Sequence, residues 1–258
     1  MKQYNIVVES YNEPFFNILQ RGWHYIPRPI RNRLKRNILK IKQKKYDCIF
    51  SIGDDCLIAQ SLNELGIRNF SGPFDWFSGG DILYRLKLLD SKFLGFLEKE
   101  NLQISEIVGD SKLHTYRTVD IQSGLIFPHD FFSQKIDLCF REVREKYDRR
   151  ISRLYSKIFD SSVLIVYGKK EIENLDINNI SKFIKKIRLE NKCKRFDLLI
   201  LSEGDSVHNQ ASVFELDSCS SLLRVELSKG VGGKDGWWYS NRKLHAPIGQ
   251  YINTIISI

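Results

Sequence analysis

"SVLIVYGKKEIENLDINNISKFIKKIRLENKCKRFDLLIL", residues 162–201, is the stretch that decides the fold. It begins and ends with runs that are apolar almost throughout, 162–167 and 197–201. Between them, over 171–189, apolar residues recur at steps of three and four, which is typical of an amphipathic helix. Strands that are apolar along their length and separated by helices favour a parallel sheet covered on both faces. The stretch therefore predicts a strand–helix–strand unit of such a sheet.

The same alternation extends on both sides of this unit. Further short apolar runs predict strands, and apolar residues at helical spacing predict more helices. We therefore expect a single α/β domain over 46–258, layered, with a mostly parallel central sheet flanked by helices. In such folds, ligands bind at the carboxyl ends of the strands. The further predicted strands are 48–52, 124–128 and 222–227, and the further predicted helices are 56–65, 81–99 and 134–159.

A basic N-terminal arm, residues 1–45, precedes this domain. The net charge of the chain is +9, and Arg21 to Lys45 contains ten Lys or Arg residues without any Asp or Glu. Apolar residues at helical spacing predict a basic amphipathic helix over 30–45, which suits an anionic membrane surface or an acidic polymer. A solvated helix with one face on the domain is the alternative. No nucleic-acid-binding motif accompanies the charge, so nucleic acid is not an expected partner.

Composition excludes several other classes of protein. With 42% hydrophobic and 12% aromatic residues, the chain can bury a core and is not expected to be disordered. No apolar run approaches the roughly 18 residues that a membrane span needs. The N-terminus lacks the pattern of a secretory signal, so we expect a cytoplasmic protein. Its five scattered cysteines form no CxxC pair, which favours reduced thiols and no metal site.

"SIGDDCLIAQ", residues 51–60, raises the question of a reactive thiol. Cys56 opens a predicted helix directly after a strand, where the helix dipole and unpaired N–H groups favour the nucleophilic thiolate. Asp54 and Asp55 act against this, because nearby carboxylates disfavour another negative charge unless one of them caps the helix. A small apolar residue packed under the turn is the other interpretation of Cys56.

Two more blocks contain groups that a nucleophilic thiol needs. In "FPHDFF", His129 follows an apolar strand and could take the thiol proton and return it to the leaving group. A carboxylate commonly orients such an imidazole, and Asp130 and Asp75 are the candidates. Asp75 lies in "SGPFDWFSGG", where a structural clasp to backbone N–H groups is the alternative. A loop histidine that caps a nearby group is the alternative for His129.

Two weaker motifs are discounted, and one aromatic cluster is kept as a candidate. Gly204-Asp205-Ser206 follows a strand and is similar to the nucleophile block of SGNH-type esterases, but no DxxH follows it. Two adjacent aspartates at 54–55 are too little for the DxD metal motif of a glycosyltransferase. The cluster Trp237, Trp238 and Tyr239 could stack on a sugar ring or a base, although such clusters more often cover the edge of a core.

Taken together, the three blocks resemble a bacterial family of papain-like cysteine peptidases. The family pattern is Ser-x-Gly-x-x-Cys, then Pro-Phe-Asp-Trp, then His-Asp-Phe, and the resemblance covers roughly residues 46–205. Members tend to be encoded among surface-glycan genes, which implies a glycan or glycolipid substrate. The first block is also similar to a turn of a capsule acetyltransferase family, which implies a coenzyme A-linked acyl donor. Asp55 and Leu57 depart from that turn.

The leading hypothesis is therefore an acyl-transfer enzyme with a cysteine nucleophile, either a hydrolase or an acyltransferase, in bacterial surface-polysaccharide biosynthesis. Cys56 would attack, His129 would act as general base and acid, and Asp75 or Asp130 would orient the histidine. Backbone N–H groups after Gly53 would bind the oxyanion, no cofactor would be required, and the basic arm would hold the enzyme at the inner membrane face. The alternatives are a non-catalytic glycan- or nucleotide-sugar-binding protein and a true papain-like peptidase. The predicted substrate-binding residues are Ser51, Gly53, Asp55, Trp76, Trp237 and Trp238.

Overall fold

The computed structural model describes residues 2–6, 27, 30, 46–54, 56–68, 70–108, 115–172, 174–204, 210–227, 248 and 252. Within them the chain folds as a mixed α/β protein, as the sequence predicts. The strands are β1 (Lys2–Ile6), β2 (Cys48–Ser51), β3 (Leu102–Val108), β4 (Thr115–Asp120), β5 (Ile126–Phe131), β6 (Ser162–Gly168), β7 (Arg195–Glu203), β8 (Gln210–Asp217) and β9 (Ser220–Leu227). The helices are α1 (Cys56–Glu64), α2 (Ile82–Asp90), α3 (Ile136–Ile158) and α4 (Ile177–Glu190), with short 3-10 helices at Pro73–Asp75 and Lys99–Asn101.

The main sheet has six strands in the order β1-β8-β9-β7-β6-β2. Strands β2, β6, β7 and β9 run parallel, while β8 pairs antiparallel with both β9 and β1. The predicted unit at 162–201 is β6–α4–β7, with Ser162 opposite Arg195 and Gly168 opposite Leu201. The predicted mostly parallel sheet is therefore confirmed.

Helix boundaries follow local capping groups more closely than apolar spacing. Helix α4 begins at Ile177 rather than 171, because the Asp176 side chain accepts the Asn179 N–H at 3.0 Å and caps the helix there. Helix α2 ends at Asp90 rather than 99, since Lys92 and Phe93 have φ of 54° and 62°, which no α-helix accommodates.

A second, antiparallel sheet of β3, β4 and β5 was not predicted. The apolar run 124–128 does mark a strand, but β5 pairs with β4 in this separate sheet and not with the parallel strands. Strands β3 and β4 carry many polar residues because part of this sheet faces solvent. His129 consequently lies within β5, and not beyond the end of a parallel strand as the sequence suggested.

Both faces of the main sheet are covered. Side chains from α2, α3, α4 and β5 form one apolar core with one face, and α1 forms a second core with the other. Ile165 and Leu198 point into the first core, while their neighbours Val166 and Leu199 point into the second. The turn before α1 and the turn after β6 therefore meet at the carboxyl edge of the parallel strands.

The N-terminal arm contributes a strand to this sheet. Lys2–Ile6 forms β1, which pairs with β8 at the sheet edge. The helix predicted over 30–45 lies outside the described residues apart from Ile30, so the contact of residues 21–45 with a membrane surface stays a prediction. Among the described residues, no helix has both the length and the apolar character to cross a bilayer.

Candidate active site

The turn that follows β2 is fixed by its own backbone groups. Ser51, fully buried, accepts the Gly53 N–H on its Oγ at 2.9 Å. The Asp54 N–H donates to the carbonyl of Gly168, the last residue of the neighbouring strand β6, at 3.1 Å. Because these two N–H groups are already bound, they are not available to an oxyanion, and an oxyanion role for the later N–H groups of the turn stays a prediction.

Gly53 is required for the close approach of α1 to this turn. A Cβ at this position would lie 3.0 Å from Ile58 Cγ1 and 3.2 Å from Ser51 Oγ, closer than most real contacts. The serine and glycine of the first block therefore have structural roles. Ser51 binds the backbone of the turn, and Gly53 leaves space for helix α1. Neither residue is shown to touch substrate, and that role stays a prediction.

Cys56 is the first residue of α1 and is partly exposed. One turn later, Gln60 donates its Nε2–H to the Cys56 sulfur at 3.5 Å. Of the other four cysteines, only Cys219 is also partly exposed, and the remaining three are buried. Burial raises the pKa of Cys48 to about 12 and that of Cys193 to about 11.

The carboxylate of Asp54 is held by the loop opposite the turn. Its Oδ1 accepts the Gly79 N–H at 3.1 Å and lies 3.9 Å from Arg85 Nη2. A guanidinium this close compensates much of the carboxylate's charge. The objection that Asp54 would disfavour a thiolate at Cys56 is thereby weakened, while Asp55 lies outside the described residues.

Arg85 is a functional candidate that the sequence analysis missed. It is fully buried in α2, and its guanidinium donates to carbonyl oxygens on two loops, including those of Gly53 and Gly79. One signal could have found it. Arg85 lies three residues after Ile82 and four before Leu89, which places a cation on the apolar face of the helix.

Asp75 is clamped inside the second block. It is 1% exposed, and its Oδ2 accepts hydrogen bonds from the Gly72 N–H at 2.9 Å, from Ser71 Oγ and from Arg68. Burial raises the pKa of this carboxyl, while Arg68 opposes the shift. The other oxygen, Oδ1, is buried and has no hydrogen-bond partner within the described part of the chain. This arrangement is the clasp that the sequence offered as the alternative, with one acceptor left over.

The aromatic residues of the second block differ in environment. Phe74 is fully buried, and its ring lies 5.7 Å from that of Phe77 and 5.0 Å from that of Phe93. Trp76 is partly buried, with its indole N–H directed to Ser71 Oγ at 3.5 Å. A substrate-binding role for Trp76 stays a prediction, and Trp237 and Trp238 lie outside the described residues.

In the third block, neighbouring residues point in different directions. His129 is exposed on β5, and its ring makes no hydrogen bond or ion pair among the described residues. Asp130 is buried, and its two oxygens accept from Lys146 Nζ and from the Tyr147 hydroxyl, the latter at 2.6 Å. Both oxygens of Asp130 are therefore occupied by α3, which makes this carboxylate a poor orienter for His129.

The segment 71–80 connects the three blocks. Its 3-10 helix at Pro73–Asp75 packs against α1, and its Gly79 N–H binds Asp54 beside the thiol turn. Ser78 exchanges two backbone hydrogen bonds of 2.9 Å with Ile126 at the start of β5. The helix of Cys56 and the strand of His129 are thus anchored to the same loop, while their cooperation in one reaction stays a prediction.

A thiol at a helix N-terminus, at the carboxyl edge of a parallel sheet, is an arrangement typical of enzymes with a cysteine nucleophile. The model of the family described as "Putative papain-like cysteine peptidase (DUF1796)" matches residues 47–206. The chain belongs to this family, which confirms the resemblance carried by the three blocks. Residues 47–206 include every candidate catalytic residue named above.

Comparisons with a curated relative and with solved structures do not identify an activity. The chain is similar to "Uncharacterized protein R408" of Acanthamoeba polyphaga mimivirus, with 28% identity over 142 residues, covering 49% of this chain and 63% of that protein. The chain thus matches less than two thirds of the length of this viral relative, and the bacterial origin and glycan association of the first hypothesis stay predictions. No solved structure matches the chain. In the described part of the chain, no three His, Cys, Asp or Glu side chains are grouped so as to hold a metal ion.

Proposed function

We propose that the protein is an acyl-transfer enzyme that uses Cys56 as its nucleophile, with water or a glycan hydroxyl or amine as acceptor. The observation that carries the proposal is the environment of Cys56, a partly exposed thiol at the first residue of α1. The neighbouring carboxylate of Asp54 is turned to Gly79 and Arg85. Membership of a cysteine peptidase family supports a cysteine-dependent reaction.

The reaction has two steps. The Cys56 sulfur attacks the carbonyl carbon of an ester, thioester or amide, and His129 takes the thiol proton and passes it to the leaving group. A thioester on Cys56 remains. Water or a glycan nucleophile then attacks this thioester, giving its proton to His129, and the thiolate leaves. Since the N–H groups of Gly53 and Asp54 are bound elsewhere, the first turn of α1 is where we expect the oxyanion to bind.

Of the two carboxylates proposed to orient His129, the contacts favour Asp75. Asp130 has both oxygens engaged by Lys146 and Tyr147, whereas Asp75 keeps Oδ1 without a partner among the described residues. A buried carboxylate oxygen without a hydrogen-bond donor costs free energy. A ring N–H of His129 that came within reach of Asp75 Oδ1 would remove this cost.

Trapping the thioester tests the proposal. The purified protein is incubated with p-nitrophenyl acetate or acetyl-coenzyme A, digested under acidic conditions, and mapped by mass spectrometry for acetylated cysteines. We expect one acetyl group on Cys56, lost in Cys56→Ala and retained in Cys219→Ala, which removes the other partly exposed thiol. His129→Gln should slow acylation by roughly 10²-fold. Asp75→Asn should slow it more than Asp130→Asn at equal stability.

Equal acetylation of Cys56 and Cys219, or none on either, would contradict the proposal. Binding of a nucleotide sugar that Cys56→Ala leaves unchanged, with an inert thiol, would support the non-catalytic alternative instead. Cleavage of a peptide substrate that depends on Cys56 would identify the protein as a true peptidase. Transfer to a surface glycan, and a coenzyme A-linked donor, rest on the sequence resemblance alone.

A further inference from the structure

The feature that carries a further inference is a buried cation beneath the thiol turn. Arg85 is 0% exposed, and a guanidinium offers five N–H donors in a rigid plane. Its donors reach carbonyls on both neighbouring loops, and its carbon lies 4.9 Å from the centre of the Phe77 ring. The carbonyl acceptors are those of Ile52, Gly53 and Asp54 on the first loop, and of Phe77, Gly79 and Gly80 on the second.

We infer that Arg85 is the positioning residue of the Cys56 site. It fixes the turn from which α1 begins and balances the charge of Asp54, so that the thiol can ionise. The inference rests on the proposed function, because a positioning residue has meaning only if Cys56 reacts.

The first part of the inference follows from the hydrogen bonds of the turn. Ser51 holds the Gly53 N–H, and Gly168 holds the Asp54 N–H. Arg85 binds the carbonyls on the other side of the same peptide units, at Ile52 and Gly53. Since peptide units are planar, binding both their N–H and C=O groups fixes the plane of each unit. The direction in which α1 leaves the turn is thereby fixed.

The second part concerns charge. Arg85 and Asp54 lie 3.9 Å apart, and Asp54 precedes Cys56 by two residues in the chain. Among the described residues, the elements packed on α1 include the ionisable groups Asp75 and Tyr167. Asp75 is paired with Arg68, and Tyr167 stays neutral because burial raises its pKa. Arg85 therefore controls whether Asp54 acts on the thiol as an unbalanced negative charge.

The test measures the pH dependence of Cys56 alkylation by iodoacetamide, with the label located by mass spectrometry, in a Cys219→Ala background. Asp54→Asn should lower the midpoint pH of alkylation by about one unit, because it leaves the Arg85 charge unbalanced. Arg85→Met should raise the midpoint by a similar amount, and the double variant should return toward the parent value. Arg195→Met is the matched control, since it removes a partly buried arginine paired with Asp197.

The outcomes separate the inference from the proposed function. Rapid labelling of Cys56 with the same midpoint in the parent, Asp54→Asn and Arg85→Met would overturn the inference and leave the nucleophile in place. An equal shift in Arg195→Met would also overturn it, because the effect would then be general destabilisation. If the wild-type protein labels Cys56 no faster than Cys219, both conclusions fall. Should Arg85→Met not fold, Asp54→Asn decides alone, and an unchanged midpoint counts against the inference.

Discussion

The two edges of the main sheet each contain an arginine–aspartate pair with one fully buried member, and the two clusters are built differently. At the amino edge, Asp197 of β7 is fully buried and accepts from Tyr46, from Arg195 and from the Ser221 N–H, the last at 2.8 Å. At the carboxyl edge, Arg85 is the buried member, and its main acceptors are loop carbonyls. The first cluster joins side chains on and beside strands, and the second joins two loops.

The difference indicates what each cluster does. Strands β6, β7 and β9 are already joined by backbone hydrogen bonds, so the amino-edge cluster adds stability to a framework that exists without it. The loops 52–54 and 77–80 have no ladder between them, and Arg85 with Asp54 supplies much of what connects them. Functional residues are commonly on loops that a rigid scaffold positions. The carboxyl edge fits that description, and the thiol is found there.

Removing each arginine in turn is the strongest way to break this comparison. Arg85→Met should lower the free energy of unfolding by about 3–5 kcal/mol, because it leaves several buried carbonyls and Asp54 without their cation. Arg195→Met should cost about 1–3 kcal/mol, since Tyr46 and Ser221 still donate to Asp197 and Arg195 is partly exposed. Denaturant unfolding of both variants measures the difference. An equal or larger loss for Arg195→Met would show that the amino edge carries more of the stability.

Two glycines test whether the loop 77–80 must lie close to the backbone at Gly124. Gly79 has φ of +85°, and a Cβ there would lie 2.6 Å from the Gly124 carbonyl oxygen. Gly95 has a similar φ of +73° but nothing within 4 Å of its Cβ position. Gly79→Ala should therefore destabilise the protein by about 2–4 kcal/mol and slow Cys56 alkylation, while Gly95→Ala should cost only about 1–2 kcal/mol of backbone strain. Thermal and denaturant unfolding would contradict this if the two variants were alike.

The buried thiols at the amino edge make the stability of the protein depend on pH. Cys48 and Cys193 are buried near the amino edge, and burial raises the pKa of Cys48 to about 12. A thiol whose pKa is raised on folding stabilises the protein below its ordinary pKa, and that contribution is lost as the pH rises toward the folded value. Unfolding free energy should therefore fall above about pH 9, by at most about 1.4 kcal/mol per pH unit for each such thiol.

Variants separate this thiol effect from other groups. Cys48→Ala should make the fall between pH 9 and 10 shallower, in a window below the ordinary pKa of the buried tyrosines. Cys219→Ala, which removes a partly exposed thiol, should leave the slope at the wild-type value. Denaturant midpoints at closely spaced pH values provide the measurement. Identical slopes in all three proteins would mean that Cys48 does not resist ionisation.

The parts of the fold that could be predicted are those where one physical effect dominates. The runs around Ile165 and Leu198 are apolar on both faces, and only a buried strand places such residues satisfactorily. Strand β4, "TYRTVD", is half buried and polar, so its pattern does not separate strand from loop. The sequence identified Cys56 from its position after a strand, but Arg85 acts through contacts with residues 5 to 33 positions away. Such contacts become visible only when the loops are in place.

Ser51 and Ser61 provide the smallest and most controlled test of the thiol turn. Both are fully buried, but Ser51 Oγ accepts the Gly53 N–H at 2.9 Å, whereas Ser61 Oγ has no hydrogen-bond partner within the described residues. Ser51→Ala should cost about 1–2 kcal/mol, because the Gly53 N–H loses its acceptor inside the protein. Ser61→Ala should be neutral or slightly stabilising, since it removes a buried hydroxyl that is unpaired. If unfolding and Cys56 alkylation respond equally to both changes, the bond from Ser51 does not hold the turn, and Arg85 and the Gly168 carbonyl would have to fix it without Ser51.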